Sequence, residues 1–214
     1  MKKTIFYVVT SICLLLIYCV PNQSVFADTP ISKPGVEVTI IDENTGEDVS
    51  EYAQVEEIYS SVSPSGKLSR SLSNNIESNE VSYEVTFTVP GQIKPRADVG
   101  NSKNSDAKAT INANYDSRKV NGKSQIRLNR VWGGWTPNNK MVIIESRQVG
   151  YQDTISYNSA TKYPGGNSFT YTTGWGYVEH GAGGTGYMGY AESGARIRIS
   201  GMGTGYMMYC RVSF

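Results

Sequence analysis

The chain has 214 residues, of which 20 are Lys or Arg, 19 are Asp or Glu and one is His, so the formal net charge is +1. That balance provides no basic field for a nucleic acid and none of the charge excess that holds a chain unfolded. A single His also excludes a metal site with two His ligands, or a relay of several histidines, within one chain.

Lys2 and Lys3 precede a mainly apolar run from Ile5 to Val20, followed by Pro21 and the small-residue exit Val25-Phe26-Ala27. This is the layout of an export signal cleaved after Ala27, and the run is shorter than the ~20 apolar residues a membrane-spanning helix needs. Cys19 follows the bulky Tyr18, which argues against a lipid anchor there. Cleavage would take Lys2 and Lys3 with it, leaving 18 basic against 19 acidic residues. Cys13 and Cys19 would leave too, so that Cys210 stands alone and no intrachain disulfide can form. The expectation is a soluble secreted protein whose lone thiol is buried, with an intermolecular disulfide or a reactive nucleophile as the other reading.

After a leader carrying Pro30 and Pro34, Val36-Glu37-Val38-Thr39-Ile40-Ile41 reads as a first strand and Asp42-Glu43-Asn44-Thr45-Gly46 as its turn. The oxygen-rich turn is better taken as a hairpin than as a calcium loop, because the bidentate Glu of an EF-hand is missing. From Asp48 the spacing of Tyr52, Val55, Tyr59 and Val62 admits a short helix near residues 49–62, with a strand as the alternative because of the β-branched content. Ser63 to Glu80 is polar and Ser/Asn-rich. It reads as a long loop or linker, so residues 28–80 are an N-terminal region and 81–214 the main domain.

Val81 to Val89 alternates cleanly, with Val81, Tyr83, Val85, Phe87 and Val89 on one face and Ser82, Glu84, Thr86 and Thr88 on a wet one. Ala107, Ala109, Ile111, Ala113 and Tyr115 repeat the pattern. Val120-Asn121-Gly122-Lys123 then supplies a turn, and Ile126 and Leu128 begin the returning strand. It runs into Trp132-Gly133-Gly134-Trp135, two tryptophans astride a flexible corner, before strands from Met141 to Val149 and from Phe169 to Thr173.

Gly184-Thr185-Gly186-Tyr187-Met188 recurs as Gly203-Thr204-Gly205-Tyr206-Met207, each copy a glycine turn leading into a strand. Between the copies Ile197 and Ile199 face oppositely to Arg196 and Arg198. In the last strand Met208, Cys210, Val212 and Phe214 oppose Met207, Tyr209, Arg211 and Ser213. Many short strands and frequent glycine turns predict an all-β fold, an antiparallel β-sandwich with a small β-barrel as the alternative.

Catalytic signals are weak. His180 sits in a polar Glu-His-Gly context with no nucleophile elbow or cysteine-protease signature around it. Gly181 to Gly186 fits a dinucleotide fingerprint only formally, since a strand and a helix should flank it. A glycosidase carboxylate pair stays open, because its separation is not legible in a sequence. The surplus is aromatic, with 15 Tyr and 3 Trp. Rings beside glycine corners can stack on the apolar faces of sugars while nearby amides meet the hydroxyls, whereas most such rings in β proteins simply fill the core. Trp132, Trp135, Trp175 and Tyr177, with Asn138 and Asn139, are the binding candidates. The expected function is non-enzymatic surface recognition of a glycan or cell-envelope ligand, without cofactor or metal and without nucleic acid. The alternative is a membrane-active, pore-forming protein that opens an amphipathic hairpin such as Ala107 to Leu128 into a bilayer.

Overall fold

The computed structural model describes residues 35–64, 76–91, 105–153, 158–179 and 189–214. The proposed signal, His180 and the first copy of the glycine repeat lie outside the described residues.

Two antiparallel sheets pack face to face. Sheet I runs in space through β1 (Val36–Asp42), β11 (Gly205–Ser213), β10 (Tyr190–Ile199), β6 (Val142–Gln152) and β7 (Ser159–Lys162). Sheet II runs through β2 (Ala53–Pro64), β3 (Glu77–Phe87), β4 (Ala107–Val120), β5 (Lys123–Pro137) and β8 (Ser168–Thr172). The short β9 (Val178–Glu179) pairs with the start of β5. Neither sheet closes on itself, so the architecture is the expected sandwich and not the barrel.

Alternation builds the core. Val36, Val38 and Ile40 of β1, Ile197 and Ile199 of β10, and Met208, Cys210 and Val212 of β11 are all buried. They meet Val85 and Phe87 of β3, Ala109, Ile111 and Ala113 of β4, and Leu128 and Val131 of β5 in one apolar cluster. The small side chains along β4 leave room for larger ones opposite, which is how facing layers interdigitate. Aromatic pairs join the sheets: Phe87 meets Tyr206 edge-on at 5.3 Å, Tyr115 stacks on Phe214 at 4.8 Å, and Tyr151 stacks on Tyr171 at 6.0 Å. Each such contact adds ~0.5–1.5 kcal/mol beyond its buried area.

The turns follow their residues. Asn121 and Gly122 adopt φ of 52° and 78°, the two left-handed positions of a two-residue hairpin. Asp42 Oδ1 accepts the Asn44 backbone N–H at 2.8 Å, and Gly46 takes φ of 74°, so the first turn is a hairpin corner. In the second glycine repeat the positive φ falls on Gly201, outside the pentapeptide, and Gly205 is already the first residue of β11.

Three expectations change. Residues 49–62 form a single 3₁₀ turn, Ser50–Tyr52, and then β2, because β3 offers a ladder that an isolated amphipathic helix could not match. The two ends of the stretch expected to be loop belong to strands: β2 reaches Pro64 and β3 starts at Glu77, while residues 65–75 lie outside the described residues. The second face of β3 is only partly wet, since Ser82 and Thr86 are buried and the Ser82 hydroxyl bonds to Asn112 Oδ1 across the ladder.

Among the described residues, irregularities interrupt the ladders at three places. β2 steps past Ile58 between Glu57 and Tyr59, β5 steps past Asn129 opposite Asn114 and Tyr115, and β6 carries an extra residue opposite Gly194–Arg196, where Ser146 has φ of 50°. Each inserts one residue and exchanges the two faces of the strand beyond it.

Candidate functional site

The six aromatic and amide candidates do not form one site. Trp135 is 2% exposed and packs on Phe169 at 5.2 Å, so it is a core residue. Trp132 lies within β5, not at a corner, on the outer face of sheet II, where the Arg130 guanidinium covers its ring at 4.1 Å. Gly133 and Gly134 between them are close-packing positions. A Cβ on Gly133 would collide with the Thr110 carbonyl, and one on Gly134 with the Asn167 carbonyl. Trp175 leans on Tyr151 at 5.5 Å. Asn138 Nδ2 donates to Ser105 Oγ at 2.7 Å, and Asn139 Oδ1 accepts the Met141 N–H at 3.0 Å, so both amides fasten the β5–β6 connection.

Tyr177 is placed differently. It lies against the outer face of the β4–β5 hairpin, beneath two cations: the Arg118 guanidinium is 3.7 Å and that of Arg127 4.8 Å from its ring centroid. Arg127 pairs with Asp116 at 2.5 Å, and the Tyr177 hydroxyl lies 3.5 Å from the same carboxylate. Burial and the Asp116 charge both push the phenol pKa up, while the hydrogen bond to Asp116 raises that of Arg127. The cluster therefore keeps a neutral phenol and a charged guanidinium throughout the physiological range.

Beside this cluster opens a cleft of about 710 Å³ among the described residues. Its geometry follows from the Asn121-Gly122 turn, which fixes the pairs Lys119↔Ser124, Arg118↔Gln125, Asp116↔Arg127 and Ser117↔Ile126. Pleating then puts Tyr115, Ser117 and Lys119 on the face that looks toward sheet I, with Ser124 and Ile126 beside them and Glu77 and Asn79 across the β3 ladder. Phe214, the residue after β11, closes the inner end by stacking on Tyr115. The floor is thus aromatic and aliphatic, and the rim carries hydroxyls, amides and charges.

The rim is pre-set, since Asn79 Nδ2 donates to Ser117 Oγ at 3.2 Å. The Arg118 Nε bond to Gln125 Oε1 at 2.9 Å lies on the opposite face of the hairpin, beside Tyr177. Burial raises the Tyr115 pKa, so its hydroxyl stays a neutral donor and acceptor. The sequence reading passed over Tyr115, Phe214, Arg118 and Gln125, although the Asn-Gly turn already implied the register that gathers them. What it lacked was the position of Phe214, contributed by the other sheet. Among the described residues no group of three or more His, Cys, Asp and Glu side chains is disposed to hold a metal ion.

Comparison of the chain with protein-family models, with curated proteins and with solved structures gave no match.

Proposed function

We propose that this is an exported, non-enzymatic recognition protein whose cleft at the β4–β5 end of the sandwich takes a glycan of the cell envelope or a similar saccharide. The observation that carries the proposal is the pairing of an aromatic floor, Tyr115 on Phe214, with a rim where the Asn79 amide holds the Ser117 hydroxyl. A sugar ring presents apolar C–H faces and a belt of hydroxyls, and needs this division of its surroundings. Glu77 is the sole acidic side chain among the described residues lining the cleft, whereas glycoside hydrolysis calls for two acids across the scissile bond. Tyr177 stacks under Arg118 on the opposite face of the same hairpin, and none of the six candidates read from the sequence lines the cleft.

The test is calorimetric titration of the purified protein with a panel of wall-derived and host oligosaccharides, run beside a liposome-leakage assay. Saturable binding with intact liposomes is expected, and Tyr115→Ala should weaken it by roughly tenfold, about what loss of one stacked ring produces. Leakage without saccharide binding would favour the membrane-active alternative and reject recognition as the function.

A further inference from the structure

We infer that copies of this chain associate flank to flank, the acidic β1–β2 side of one copy against the basic β6–β8 side of the next. The inference stands apart from the cleft and its ligand.

The sandwich has two flanks. Val49 N–H donates to Ile40 O at 2.8 Å, so the chain crosses from sheet I to sheet II within a few residues, and the edge strands β1 and β2 share one flank. Arg147 Nε of β6 donates to Asn167 Oδ1 at 2.8 Å in the β7–β8 connection, and Tyr151 stacks on Tyr171. The edge strands β7 and β8 therefore share the other. Because β7 pairs only with Val149 to Gln152, the first half of β6 is an edge as well.

Charge divides between these flanks. The described residues of 35–64 and 76–91, which hold β1, β2 and β3, include 11 acidic side chains and no Lys, Arg or His. In the sequence between Val36 and Gly91 the bases are Lys67 and Arg70, both outside the described residues. From β5 to β9, the described residues of 123–179 carry six Lys and Arg against three acids. Those acids are already engaged or hidden: Glu145 holds Arg196 and Arg198, Glu179 holds Lys123, and Asp153 is fully buried. Arg130, Lys140, Arg147 and Lys162 accordingly make no ion pair among the described residues. On the acidic flank Glu47, Glu51, Glu56 and Glu57 are exposed and equally lack a cation. Both flanks also expose a large apolar side chain, Ile58 of β2 at 53% and Tyr163, next to β7, at 75%.

Acids on an edge strand by themselves only discourage pairing. Cations on the opposite flank of the same chain make each copy the complement of the next, whereas contact between like flanks would set acid on acid or base on base. Such a contact is heterologous and can repeat, with β7 facing the next copy's β1 and β8 its β2, so that both sheets continue. The cleft sits at the strand ends by the Asn121-Gly122 turn, off this axis, and stays open in every copy.

The test is sedimentation velocity of the purified protein from about 5 to 500 μM, in about 20 mM and about 500 mM salt. Mass should grow with concentration at low salt and return toward the monomer at high salt. Glu56→Lys with Glu57→Lys, and separately Lys140→Glu with Lys162→Glu, should each raise the concentration of half-association ~10-fold or more. An equal mixture of the two variants should associate again, because the intact acidic flank of one meets the intact basic flank of the other. All four side chains are exposed, and the salt series on the native protein needs no variant. A native protein that stays monomeric at low salt would overturn the inference, and capture of decalysine by that monomer would assign the acidic flank to a basic foreign partner instead. Association that survives both high salt and both variants would overturn the charge pairing. Folded variants whose mixture fails to associate would overturn the head-to-tail arrangement.

Discussion

Cys210 shows how far burial alone can set the chemistry of a residue. The thiol lies on the core face of β11, fully buried and opposite Ser193, and desolvation together with the Glu192 charge pushes its pKa from 9.0 up to about 12. Of the two readings that alternation allowed, the described fold provides the buried one. In the unfolded chain the thiol ionises near pH 9, so there the unfolded state loses a proton that the folded state keeps. This contribution to stability is intact below the unfolded pKa and is lost as pH climbs toward 12, with a slope of up to ~1.4 kcal/mol per pH unit. Tyr83, Tyr151 and Tyr206, also raised by burial, add loss of the same sign above pH 10. Urea unfolding at about pH 8 and about pH 10.5 should show a larger fall for the native sequence than for Cys210→Ala. Equal falls would mean that the thiol does not titrate differently in the two states. In the native protein at about pH 8 the thiol should also resist iodoacetamide until urea opens the fold.

At the scale of the strand, what was legible in the sequence and what was hidden divide at the bulges. Alternation alone placed β1, the inner face of β3, β4, β10 and β11, because nothing interrupts the count there. Extending it from Ile126 and Leu128 along β5 would put Trp132 inside and Trp135 outside. The residue inserted at Asn129 reverses this, so Trp135 is the buried ring. The irregularity at Ile58 likewise shifts the count along β2, so that Val55 stands opposite Val85 but Tyr59 opposite Ser82. A bulge is one residue of geometry with no fixed composition, and no motif announces it. The glycines of the Trp-Gly-Gly-Trp run misled for a different reason: sequence shows their freedom, not the backbone pressed against them. Gly133→Ala should therefore destabilise the protein by ~1–3 kcal/mol, because its Cβ would meet the Thr110 backbone and stand 3.1 Å from the Phe169 ring. Gly150→Ala, with nothing within 4 Å of the added atom, should stay within about 0.5 kcal/mol in the same denaturation series.

Across the whole molecule the sheets are wired differently. In sheet II, β2, β3, β4 and β5 lie side by side in the order in which they occur along the chain. In sheet I the order is β1, β11, β10, β6, β7, so among the described strands the first pairs with the last, Val36 opposite Val212 and Val38 opposite Cys210. The cleft inherits both patterns. Its walls come from the consecutive hairpins of sheet II, which a turn motif can reveal, and its inner end comes from Phe214, which only the long-range pairing brings there.

That wiring sets a timetable. Closing short loops is entropically cheap, so the β2–β5 meander can assemble from neighbours, whereas β1 must wait for a partner at the far end of the chain. Substitutions in β1 should then leave the rate of refolding nearly untouched and appear in the rate of unfolding instead. For Val38→Ala, stopped-flow chevrons should give a φ-value of ~0–0.3, against ~0.5 or more for Ile111→Val in β4. High φ at Val38 would mean that the two ends of the chain meet first and that the meander follows. With the predicted order, the last event of folding is the docking of β1 along β11, the strand that ends at Phe214.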